Sequence, residues 1–91
     1  MMGAPGACLM KEKVLQIKEL LQQKKDVQAA DLAAEILIDP SLSPVAREII
    51  KGAARNIREI AKFSEQGNGT LAEIKRQSAL QRLEEAAKSL E

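Results

Sequence analysis

The sequence predicts an all-α protein, an antiparallel up-and-down bundle of four helices. Hydrophobic residues make up 45% of the 91 positions, but Phe63 is the single aromatic residue, so the apolar content is almost entirely aliphatic. These aliphatic residues recur at spacings of three and four, which is typical of amphipathic helices. Turn signals divide the pattern into four helices, at about 10–24, 27–38, 44–65 and 71–90. Short connections favour antiparallel packing of consecutive helices.

The length of the chain is that of one domain with one modest core. Gly3, Pro5 and Gly6 lie among small residues at the start of the chain. This composition predicts a disordered N-terminal tail over residues 1–9, followed by a single helical-bundle domain over residues 10–91.

The first two helices are predicted from apolar stripes that differ in phase. The first stripe comprises Met10, Val14, Ile17 and Leu21, at spacings of four, three and four. A second stripe restarts out of phase at Val27, which predicts a break near residues 24–26 with Asp26 capping the second helix. One continuous helix across this region is the alternative.

Helix two is apolar around most of its circumference. Its polar residues Gln28, Asp31 and Glu35 fall in one narrow arc, and alanine, leucine, isoleucine and valine occupy nearly all the rest. We therefore expect helix two to be the most buried element or an oligomer interface. Pro40 ends it.

Helices three and four have clear boundary signals. Ser43 and Pro44 supply an N-cap and a proline at the first helical position, and Gly67 is a C-terminal glycine signal. Thr70 and Glu73 match a capping box at the start of helix four. Helix four then carries an apolar seam that includes Leu80, Leu83, Ala87 and Leu90.

Five basic residues form a stripe on helix three. They lie within an arc of about 80° at about 100° per residue, opposite the apolar face, and are Arg47, Lys51, Arg55, Arg58 and Lys62. This stripe is the candidate site for binding an anion or a partner, namely phosphates of nucleic acid, an anionic membrane surface or an acidic partner protein. The alternative is a solvated face whose potential is weakened by Glu48 and Glu59.

Two further charged features are open to more than one interpretation. Arg76 lies within the apolar face of helix four, where its stem is expected to pack while the guanidinium extends into solvent. The alternative is an ion pair with an acid of helix two or of a partner chain. The acidic residues around helix two are expected to face basic residues of helices one and three.

The side chains that most catalytic mechanisms require are absent from this sequence. The chain has no histidine and one cysteine, Cys8, so we expect no catalytic residue, no metal site, no cofactor and no intrachain disulfide. With 14 basic and 13 acidic residues, net charge exerts no global attraction toward nucleic acid or membranes. No secretory signal or membrane span is recognisable, which favours the cytoplasm.

Residues 34–55, AEILIDPSLSPVAREIIKGAAR, resemble the middle of small bacteriocin-immunity proteins of the enterocin A type. The resemblance implies a cytoplasmic four-helix bundle that protects its producer from a bacteriocin, and it assigns no functional residue. The same pattern is typical of HEAT-like and TPR-like helix hairpins.

These observations predict a small non-enzymatic interaction protein. We expect it to form a homo-oligomer, because three neighbouring helices in so small a bundle leave part of helix two uncovered. The alternatives are a regulator that binds anions or nucleic acid through the basic stripe, and a protective protein of the immunity type.

Overall fold

Four helices joined by three short connections form the fold. The computed structural model describes the backbone of residues 5–90 and the side chains of residues 9–90. Its helices are α1 (Pro5–Gln22), α2 (Asp26–Leu37), α3 (Pro44–Glu65) and α4 (Gly69–Ser89). Helices α1 and α3 each pack against both α2 and α4, which gives a square up-and-down bundle. The predicted fold class is confirmed.

The core between the helices is aliphatic. It comprises Met10, Val14, Ile17 and Leu21 of α1, Ala29, Ala33 and Ile36 of α2, Leu42 of the second connection, Ala46, Ile50, Ala53, Ile57 and Ile60 of α3, and Ala72, Ala79, Leu83, Ala86 and Ala87 of α4. The stripe predicted for helix one is therefore its buried face. Alanines of α2 and α4 leave room for the longer side chains of α1 and α3.

Helix α1 begins at Pro5, five residues before the predicted start. A proline suits the first turn of a helix, because the N–H that it lacks has no partner within the helix there. Residues 5–9, which the sequence placed in the tail, therefore belong to α1. The rest of that predicted tail, residues 1–4, lies outside the described residues.

The predicted break between α1 and α2 is present. Lys24 adopts a left-handed conformation with φ of 63°, and the Lys25 N–H donates to the Leu20 carbonyl at 2.9 Å. Together with the bond from the Lys24 N–H to the Leu21 carbonyl at 3.0 Å, this is a Schellman motif. Asp26 does not cap α2: Lys25 occupies the N-cap position and no side chain caps the helix.

The expectation that helix two is the most buried element is wrong. Ala29, Ala33 and Ile36 are the buried residues of α2, three of its 12, which is no larger a share than the six of 22 in α3 and the six of 21 in α4. With 12 residues, α2 is the shortest helix, and its side away from α1 and α3 faces solvent.

The ends of α3 agree with the sequence signals, but the start of α4 does not. Ser43 caps α3 by accepting a hydrogen bond from the Ala46 N–H at 3.2 Å, and Gly67 is left-handed after α3, with φ of 73°. The N-cap of α4 is Asn68, which accepts from the Leu71 N–H at 3.2 Å. Thr70 therefore lies inside the first turn, because Asn68 is an equally good cap two residues earlier.

None of the helices within residues 5–90 has both the length and the apolar character that crossing a membrane requires.

Candidate interaction surface

The basic stripe lies on the solvent side of α3, except for its first member. We define the cationic ridge as its four exposed residues, Lys51, Arg55, Arg58 and Lys62. Lys51 lies 3.5 Å from the Glu48 carboxylate. Glu59, in contrast, pairs with Lys75 of α4 at 3.3 Å and not with a residue of the ridge.

The other three cations of the cationic ridge are available to bind an external anion. Arg55, Arg58 and Lys62 have no hydrogen-bond or ion-pair partner among the described residues. An unpaired charge keeps its full attraction for an external anion, because no internal pair must first be broken.

Arg47 has a structural task instead. Its guanidinium is half-buried and donates to the Leu37 carbonyl at the end of α2. It also donates to the carbonyls of Asp39 at 3.1 Å and of Leu42 at 3.3 Å. These contacts satisfy carbonyls that have no partner within a helix, so Arg47 is not part of the available binding surface.

Helix α2 exposes a second apolar face beside α3. We define the apolar ridge as Val27, Ala30 and Ala34 of α2 with Ile38, the C-cap that directly follows α2; their spacings of three, four and four align them along one side. Val27 is 72% and Ile38 is 82% exposed. Both are large aliphatic side chains that gain free energy when another surface removes them from water.

A shallow groove joins the two ridges. Ala30, Ala34 and Leu37 of α2 line it together with Ala54 and Arg58 of α3. Its volume of about 90 Å³ is well below the roughly 300–1,000 Å³ of a small-molecule pocket. The groove therefore fits side chains of another polypeptide better than a ligand. We call the two ridges and this groove the α2–α3 face.

The opposite side of the bundle has a larger but polar groove. It has a volume of about 340 Å³ between α1 and α4 and is lined by Lys18, Gln22, Gln77, Leu80, Gln81 and Glu84. Lys18 and Glu84 pair with each other at 3.2 Å. Because its two charged side chains satisfy one another and its lining is mostly polar, this groove is a weaker candidate than the α2–α3 face.

Among the ion pairs between described residues, the pair of Arg76 with Asp26 is deeply buried. Arg76 is 7% exposed, and its guanidinium donates to Asp26 Oδ1 at 2.6 Å and to the Leu21 carbonyl at 2.9 Å. The expectation that it extends into solvent is wrong, and the alternative pairing with an acid of helix two is confirmed. The α1–α2 break brings Asp26 and Leu21 to one side of α4.

Three of the acidic residues around helix two have separate partners, whereas Asp31 is exposed and pairs with no described residue, contrary to the expectation. Glu35 pairs with Lys13 of α1 at 3.4 Å, as predicted, whereas Asp26 pairs with α4 rather than with α1 or α3. The hydroxyl and N–H of Ser41 donate to the Asp39 carboxylate and lower the pKa of Asp39. Within the part of the chain that the structure describes, no three acidic or cysteine side chains cluster as a metal site would require.

Sequence reasoning found the cationic ridge, and it found the stripe that begins at Val27 and continues through Ala30 and Ala34, but not that this stripe stays exposed as a surface of its own. The signal was present in the spacing from Val27 to Ile38. It was hidden because Ala29, Ala33 and Ile36 form a second apolar stripe on the same helix, and periodicity alone does not say which stripe the neighbouring helices cover.

No family model, no curated protein and no solved structure matches this chain. The resemblance of residues 34–55 to bacteriocin-immunity proteins stays a prediction, which survival of a bacteriocin-sensitive strain that expresses the chain would test.

Proposed function

We propose that this chain is a small, non-enzymatic, cytoplasmic interaction protein that binds other polypeptides through the α2–α3 face. The observation that supports this most is the exposure of Val27 and Ile38 on one side of α2. Aligned aliphatic side chains beside a charged border are typical of protein-binding surfaces, whereas scattered ones are not.

In the absence of another partner, the apolar ridge associates with the ridge of a second copy. The resulting homo-oligomer is weak, because each chain contributes only two large aliphatic side chains, far short of the roughly 800 Å² per partner in a stable interface.

Light scattering over a wide concentration range tests self-association. We expect the average mass to rise with concentration for the native chain and to stay monomeric for Val27→Lys with Ile38→Lys. Leu15→Lys is the matched control, because Leu15 is an exposed aliphatic residue on α1 and its replacement leaves the α2–α3 face intact. A native chain that remains monomeric at the highest concentration would rule out self-association.

A second candidate is a regulator that binds nucleic acid or another polyanion through the cationic ridge. It is supported by the unpaired Arg55, Arg58 and Lys62. This function requires duplex DNA or RNA to bind with strong salt dependence, and Arg55→Glu with Arg58→Glu to abolish binding. The absence of binding at low salt would exclude it.

A further inference from the structure

The apolar and cationic ridges have similar lengths on adjacent helices and overlap along most of them, offset by about one helical turn, because the bond from Arg47 to the Leu37 carbonyl places Ile38 beside Arg47. Val27 to Ile38 on α2 and Lys51 to Lys62 on α3 are each eleven residues apart, about 16 Å along a helix. Arg58 lines the groove together with Ala30 and Ala34, so the charged and apolar surfaces meet there. The α2–α3 face is thus divided lengthwise into an apolar half and a cationic half.

We propose that the α2–α3 face binds an acidic amphipathic helix of another protein. The apolar side of that helix lies on the apolar ridge, and its carboxylates lie along the cationic ridge. This inference rests on the proposed function and adds the chemical class of the partner.

The shape of the surface favours a helix as the occupant. The small side chains of Ala30, Ala34 and Ala54 line the groove between α2 and α3, which lets another backbone approach closely. The cations follow one another at spacings of four, three and four. Carboxylates at the same spacing lie along one edge of an α-helix, so about three turns of a partner helix match the row.

Asp31 fixes the orientation of such a helix. It is exposed beside the apolar ridge, on the side away from α3. A partner carboxylate on that side would be repelled, whereas one on the α3 side would meet Arg55, Arg58 or Lys62. The acidic edge of the partner therefore lies over α3.

A second copy of the chain complements only the apolar half of this surface. When two α2–α3 faces pair about an antiparallel two-fold axis, each apolar ridge meets the other, but the two cationic ridges also lie opposite one another and repel. A nucleic-acid duplex satisfies the other half, because its phosphates neutralise the cations and leave Val27 and Ile38 in water. An acidic amphipathic helix satisfies both halves.

Fluorescence anisotropy with a synthetic peptide tests the proposal. The probe is a labelled, helix-stapled peptide of about five turns, with leucine and alanine on one face and glutamates at spacings of four, three and four along one edge. The control peptide has the same composition in scrambled order and lacks the amphipathic face. We expect the designed peptide to bind at least about tenfold more tightly, because only it presents both halves together.

Variants of the full chain measure how much the cationic half and the apolar half of the surface each contribute to peptide binding. Arg55→Glu with Arg58→Glu should weaken binding about tenfold or more, with most of the salt dependence lost. Lys18→Glu with Lys88→Glu makes the same change of net charge on the opposite side of the bundle, where Lys18 lines the groove between α1 and α4, and should leave binding within about twofold. Val27→Gln with Ile38→Gln should also weaken binding about tenfold, through lost apolar contact.

Equal binding of the designed and scrambled peptides would overturn the inference. So would equal losses in the two charge-reversal variants, or tighter binding to duplex DNA or to phosphatidylglycerol vesicles than to the designed peptide. Light scattering of the same samples distinguishes the proposal of self-association from the proposal of peptide binding. Self-association without selective peptide binding would overturn only the inference, whereas a monomer that binds the peptide selectively would overturn only self-association.

Discussion

Arg76 joins α4 to the junction between α1 and α2. Its guanidinium binds the Leu21 carbonyl of α1 and the Asp26 carboxylate of α2. We expect Arg76→Met to lower the free energy of unfolding by about 2 kcal/mol, because it leaves both acceptors poorly solvated and without their charged donor. Urea denaturation of the two proteins measures this loss.

A double-mutant cycle shows whether the pair itself carries that stability. Asp26→Asn alone should cost about 1 kcal/mol. The double variant Asp26→Asn with Arg76→Met should lose about 1 kcal/mol less than the sum of the single losses. Strictly additive losses would mean that Arg76 stabilises the bundle through the packing of its stem.

Lys24 holds a backbone conformation that favours glycine. Its φ of 63° lies in the left-handed region, where a side chain costs roughly 1–2 kcal/mol. We expect Lys24→Gly to raise the free energy of unfolding by about 1 kcal/mol, measured by thermal denaturation.

Gly67 provides the matched control for this substitution. It occupies the same position of a Schellman motif after α3 and has φ of 73°. A Cβ at Gly67 would have open space around it, so Gly67→Ala tests the backbone conformation alone and should cost about 1 kcal/mol. If the Lys24→Gly protein were no more stable than the native chain, the left-handed conformation assigned to Lys24 would be contradicted.

At the scale of structural elements, Arg47 orders the connection between α2 and α3. Its guanidinium binds three backbone carbonyls there, those of Leu37, Asp39 and Leu42. We expect Arg47→Lys to lose about 1–2 kcal/mol of stability, since one ammonium group cannot match the fork of donors. Hydrogen exchange of the amides between Ile38 and Leu42 should become faster than in the native chain. Unchanged exchange there would show that Pro40 and the Asp39–Ser41 contacts order the connection without Arg47.

Element boundaries were predictable where the signal is local and unique. Ser43 with Pro44 and the glycine at position 67 mark both ends of α3, and the structure places them as predicted. The sequence places two capping residues, Asn68 and Thr70, two positions apart at the start of α4, and the structure uses Asn68. Local sequence signals favour Asp26 as a cap, but its partner in the structure is Arg76, which lies 50 residues away in the sequence.

At the scale of the whole molecule, the sequence predicted the bundle but not which faces it covers. Composition, helical spacing and three turn signals were sufficient for four antiparallel helices. The coverage of α2 depends on its neighbours: α1 and α3 bury Ala29, Ala33 and Ile36 and leave Val27 and Ile38 in solvent. The α2–α3 face could therefore be recognised only once the helices were placed.

The whole-molecule proposal is that this face is where the chain meets other polypeptides. Backbone amide chemical shifts of the isotopically labelled chain, recorded while the acidic amphipathic peptide is added, test it directly. We expect the shifts to concentrate at Val27, Ala34 and Ile38 of α2 and at Ala54 and Arg58 of α3. Amides of the polar groove between α1 and α4 should remain unshifted. Shifts concentrated on α1 and α4, or no shifts at saturating peptide, would contradict the proposal.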